Sequence, residues 1–147
     1  MTKLDIELRC RKKADELLQK YFPNFVQDAA VNKPEVLDPE FRDMLPQIVA
    51  SEFQAWLASF WAELVPEKAD SFDEGMNLRK GMEVIHADYE DIMPAAREKA
   101  QCTSFLKRLF KTNHKNVTYY KGLLKQYTEE LLDTMVRVFV EEVPEQL

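Results

Sequence analysis

The chain has 147 residues, 46% of them apolar and 31% charged, with a formal net charge of −6. That is enough for one domain with its own core and too little for two, and the apolar-to-charged balance is that of a folded chain. Only three glycines occur, and sheet proteins rely on glycine in tight turns, so an all-β fold is close to excluded.

The periodicity predicts a first helix over about 3–22, with Ile6, Cys10, Ala14 and Leu17 on one stripe and Leu4, Leu8, Leu18 and Tyr21 broadening it. Pro23 stops it. Residues 23–38 carry two prolines and few periodic apolar positions, and read as a loop long enough to cross the bundle. Asp38 as N-cap, with Pro39 in the first turn, opens a second helix over about 39–65. Apolar residues recur at spacings of three and four from Phe41 to Leu64, on two sides of the axis. Between them runs a stripe of small residues: Ser51, Ala55, Ala58, Ser59 and Ala62. This pattern makes it the expected central helix, with a kink at Pro46, where a backbone hydrogen bond is lost.

Ser71-Phe72-Asp73-Glu74 has the form of a capping box and starts a third helix over about 71–93. Leu78, Met82, Ile85, Tyr89 and Ile92 are its expected buried stripe, and Pro94 ends or bends it. Gly75 and Gly81 inside it each cost ~1 kcal/mol in helix propensity, an expense that close backbone packing would offset. A fourth helix over about 95–111 and a fifth over about 116–143 are joined by a polar tip. The fifth has a heptad stripe of Val117, Leu124, Leu131 and Val138, and an end, 135–140, that is apolar nearly all round. The expected architecture is an all-α, single-domain bundle of about five helices spanning 1–147, helices four and five forming a basic-tipped hairpin.

No run approaches the roughly 18 uncharged apolar residues of a membrane span, and the charged N-terminus has no leader-like apolar run. A soluble cytoplasmic protein, not associated with a membrane, is expected. Cys10 and Cys102 both sit on apolar stripes and read as small buried hydrophobes.

The charge is unevenly spread. From Lys99 to Thr128 there is no acidic residue, while Lys99, Lys107, Arg108, Lys111, Lys115, Lys121 and Lys125 bring +7, so the remainder of the chain sums to −13. Lys107, Arg108 and Lys111 share a face of one arm, Lys121 and Lys125 lie a turn apart on the other, and His114 and Lys115 sit at the tip. An anion-binding surface is implied for an acidic partner or, through residues 99–125, for nucleic-acid phosphates. The apolar turns at Val136, Phe139 and Val140 exceed what a small bundle readily covers and are the expected interface with a protein partner or a second copy.

Catalytic vocabulary is sparse. Glu83-Val84-Ile85-His86 is a Glu-x-x-His step of the type found in di-iron bundles, but these need a second step on another helix, and Lys111 occupies the corresponding place before His114. Glu83 and His86 are thus the leading candidates for a metal, with Glu52 and Glu63 on the second helix and the acidic turn over 88–91 as further ones, yet neither a metal site nor any cofactor is expected. Each histidine also follows an arginine: Arg79 precedes His86 by seven residues and Arg108 precedes His114 by six. This spacing resembles the Arg-x(4–6)-His signature of the helical HEPN ribonucleases. The resemblance would imply RNA cleavage by an arginine–histidine pair assembled across a dimer. It covers eight residues at most, and Lys80 and Leu109 stand where that family often has a polar residue after the arginine; the chain is not assigned to the family. Residue patterning thus favours a non-enzymatic interaction module (an adaptor, inhibitor or small regulatory subunit), with RNA binding as the alternative.

Overall fold

The chain begins with a capping box. Thr2 Oγ1 accepts from the Asp5 amide at 3.1 Å while the Asp5 carboxylate accepts from the Thr2 amide at 3.1 Å, so two orphan donors are satisfied reciprocally. Those hydrogen bonds, the backbone one first, hold the Asp5 carboxyl below its ordinary range. The computed structural model describes residues 1–23, 39–72, 77–101 and 112–145. Among them are five α-helices and no strand: α1 (Lys3–Tyr21), α2 (Pro39–Leu64), α3 (Leu78–Tyr89), α4 (Ile92–Ala100) and α5 (Thr112–Glu142), with a 3₁₀ segment, Pro66–Ser71, after α2. No helix among the described residues is long and apolar enough to cross a membrane. Residues 24–38 of the expected loop, Asp73 and Glu74 of the capping box, Gly75, and Cys102 with most of the expected fourth helix lie outside the described residues.

The centre of the bundle is α5, which packs against α1, α2, α3 and α4, and not α2 as the apolar pattern predicts. At 31 residues it is ~46 Å long, enough for every other helix to find a place along it. The heart of the core lies where Phe139, fully buried, stacks on Phe60 (5.7 Å between centroids), meets Trp61 edge-on (6.0 Å) and touches Phe72 (6.5 Å). Trp61 Nε1 donates to the Lys68 carbonyl at 2.9 Å, folding the 3₁₀ segment back onto α2. The expected interface at Val136 and Phe139 is therefore corrected. Both are completely buried, and Val140 is half-buried, because α1, α2 and Phe72 close around the apolar end of α5.

Other departures have equally local causes. The expected helix over 71–93 breaks at Glu90–Asp91, ahead of Pro94. The proline ring would clash with the carbonyl of Glu90, four residues earlier, so the chain turns there. The helix resumes at Ile92, which places Pro94 in a first turn, where its missing N–H is no loss. Leu4, Leu8 and Ile92, expected inside, are exposed at 63%, 57% and 47%, since neighbours cover only one side of α1 and α4. The small-residue stripe of α2 faces mostly outward, because α5 takes the Leu45, Val49, Phe53, Leu57 and Phe60 side instead. Gly81 is a close-packing glycine: a Cβ there would come within 2.7 Å of Thr134 Cγ2 on α5.

Candidate functional site

Although α2 and α3 both pack on α5, they barely touch one another among the described residues. A groove lies between them with α5 as its floor, in two adjoining hollows of about 630 Å³ each. Gln47, His86, Glu90 and Tyr127 border both hollows. From Asp43 to Gln54 along α2 the groove runs ~17 Å, about three helical turns.

The α3 wall follows from helical phase. Leu78, Gly81, Ile85 and Tyr89 sit down on α5, with Leu78, Ile85 and Tyr89 buried. At ~100° per residue, Arg79, Glu83, His86 and Glu90 fall about 125° further round the axis and line the groove with exposed side chains. Tyr89 fixes this setting: its hydroxyl donates to Glu130 Oε2 at 2.7 Å, and its ring meets Tyr127 edge-on at 5.1 Å. Burial, reinforced by the Glu130 carboxylate, pushes the Tyr89 hydroxyl above its ordinary value. Half-buried Met82, Met93 and Tyr127 supply an apolar strip along the groove.

At the α4 end, a charged cluster ties the walls together. The Tyr120 hydroxyl donates to Asp43 Oδ1 at 2.9 Å, Arg42 Nε lies 3.4 Å from the same oxygen, and Arg97 Nε is 3.9 Å from Oδ2. The Arg42 guanidinium also lies over the Tyr120 ring, 5.1 Å from its centroid. Arg42 is only 7% exposed, and Asp43 and the ring compensate its buried charge. Desolvation, with the hydrogen bond to Asp43 behind it, raises the Tyr120 hydroxyl above its usual range.

The structure brings Arg79, Glu83 and His86 to the same wall. No third side chain joins Glu83 and His86 in a metal-holding group among the described residues. Lys107, Arg108 and Lys111 lie outside the described residues, as does the side chain of His114. Of the rest of the expected basic hairpin, Lys115 is exposed and Lys125 half-buried. Lys121 is 7% exposed and is no surface ligand for phosphates, because its turn of α5 points into the bundle beside Tyr120 and Leu124.

Sequence patterning missed the Arg42–Asp43–Arg97–Tyr120 cluster and the acidic rim at Glu90 and Glu98. One signal was present. Arg42 precedes Leu45 and Val49 at steps of three and seven, so a charge stands in register with the buried face. No protein-family model, curated protein or solved structure matches this chain.

Proposed function

We propose that the chain is a helical protein-interaction module, an adaptor, inhibitor or small regulatory subunit, that receives a segment of a protein partner in the groove between α2 and α3–α4. The observation that carries this reading is the groove itself. Two helices stand apart over a shared floor, with half-buried methionines and a tyrosine between polar walls. Its length fits about three turns of helix, and methionine-lined grooves adapt readily to apolar side chains. Interaction through a bundle's open face is the part of the sequence reading kept here, moved from the buried end of α5 to this groove.

The test uses display selection of helical peptides on the wild-type protein, followed by binding to a blocked variant, Ser51→Trp/Ala87→Trp. Both positions are exposed and line the groove from opposite walls, so the fold should survive, as circular dichroism will show. Selected peptides are expected to lose affinity for the blocked variant. Peptides that bind it undiminished, or a selection that enriches none, would overturn the proposal.

A further inference from the structure

The charges that line the groove indicate what kind of segment it takes. Asp43, Glu83, Glu90 and Glu98 are its acids and Arg79 and Arg97 its bases over the two hollows. Arg97 lies against Asp43, which already accepts from Tyr120 and is paired with Arg42. Glu83, Glu90 and Glu98 are exposed and make no ion pair among the described residues, so carboxylates outnumber guanidinium groups by four to two on the described lining of the two hollows. At the far end, beyond Gln54, a further hollow adds Lys80 beside Arg79, so among the described lining residues the excess of carboxylates is largest in the hollow beside α4, where Asp43, Glu90 and Glu98 meet Arg97.

Resting on the docking reading above, we propose that the segment this groove takes is a cationic amphipathic helix: its apolar stripe lies along Met82, Tyr127 and Met93, and its lysines and arginines face Glu83, Glu90 and Glu98. An acidic helix would meet like charge along most of the rim and lose its hydration with nothing in return, so the groove selects by repulsion as well as attraction. The end of the segment over Arg79 and Lys80 is the end without basic residues.

The probes are two labelled 18-residue peptides with the same apolar stripe, one with lysine and arginine on its polar face and one with glutamate there. Each is titrated by fluorescence anisotropy at ~50 and ~200 mM salt. The cationic peptide should bind about tenfold or more tightly than the acidic one and weaken at the higher salt. Glu83→Gln/Glu90→Gln/Glu98→Gln, which alters exposed side chains only, should weaken it about tenfold. Equal binding of the two peptides, both lost in Ser51→Trp/Ala87→Trp, would overturn the charge assignment and leave the docking reading standing. Cationic binding that persists in that blocked variant would place it on the acidic surface at large and overturn the assignment. If neither peptide binds and display selection also yields no groove binder, both proposals fall together.

Discussion

Replacing Gly81 with alanine probes how α3 sits on α5, and with it the geometry of the groove wall. Taken alone, alanine in a helix interior is worth about 1 kcal/mol over glycine. Here the new Cβ would meet Thr134 Cγ2 at 2.7 Å and Val138 Cγ2 at 3.5 Å. Thr134 is β-branched and stiff at χ1, and its Oγ1 donates to the Glu130 carbonyl at 2.9 Å. It cannot turn aside without giving up a hydrogen bond worth ~1 kcal/mol. Forcing an extra carbon into such a contact costs about 1–3 kcal/mol, so Gly81→Ala should destabilise the protein by about 1 kcal/mol after the propensity gain. Thr134→Ser removes Cγ2 and keeps the hydroxyl. In that background the same glycine-to-alanine change should stabilise by about 1 kcal/mol, giving a coupling of ~2 kcal/mol around the cycle. Urea unfolding of the four proteins, followed by far-ultraviolet circular dichroism, reads each value. If Gly81→Ala raises stability equally in both backgrounds, the two helices are not in contact here and the phase assigned to the α3 wall is wrong.

Phe139→Ala should cost about 3–5 kcal/mol, because the ring is wholly buried among Phe60, Trp61 and Phe72, and Phe139→Asp should not fold; a cooperatively melting Phe139→Asp protein would return this residue to the surface. Tyr120→Phe, which leaves Asp43 without its hydroxyl donor, should cost about 1–2 kcal/mol at neutral pH. Because the folded Tyr120 hydroxyl titrates above its ordinary value of 10.0, its contribution is complete below that pH and is lost as pH rises through the folded value. Wild type should therefore lose more stability than Tyr120→Phe between ~pH 9 and ~pH 11, and parallel losses would remove the assigned cause. Burial pushes the Cys10 thiol up to about 12, so in a Cys102→Ser background a thiol reagent at ~pH 8 should modify it only as fast as the protein opens. Rapid labelling of the native protein would show Cys10 to be accessible.

How much of this was legible in the sequence differs from element to element. The α1 stripe of Ile6, Cys10, Ala14 and Leu17 could be read directly, because a helix covered on one side leaves a one-sided pattern. The extent of α2 could be read from Pro39 in its first turn and the unbroken three-and-four spacing from Phe41 to Leu64, and Gly81 announced a close contact by costing propensity in a helix that otherwise needs none. The central role of α5 was not legible. Its tyrosines, threonines and lysine disguise how much of its circumference is covered: Thr128 is fully buried, its hydroxyl donating to the Leu124 carbonyl at 2.8 Å, and Lys121 is nearly so. Of the candidate site, the common face of Arg79, Glu83 and His86 was legible, since steps of three, four and seven share one side of a helix. What turns that face into a groove wall is the separation of α2 from α3, a tertiary property that helical periodicity does not encode.

That separation also has a mechanical consequence. A docking groove is useful when its walls hold their positions before a ligand arrives, since ordering them on binding subtracts from affinity. The α2 wall is held by its buried face and by the Asp43–Tyr120 hydrogen bond, and the α3 wall by the Gly81 contact and by Tyr89, which donates to Glu130. Because α2 and α3 scarcely meet, each wall depends on its own attachments to α5. Tyr89→Phe keeps the ring against Tyr127 and removes only the hydroxyl, so it should loosen α3 without unfolding the bundle. Hydrogen exchange should then quicken across α3 by about fivefold or more, as expected for a lost charge-assisted bond, while α2 amides keep their wild-type rates. A uniform increase in both helices would mean that the walls open together through global unfolding. The independence on which the groove rests would then be refuted.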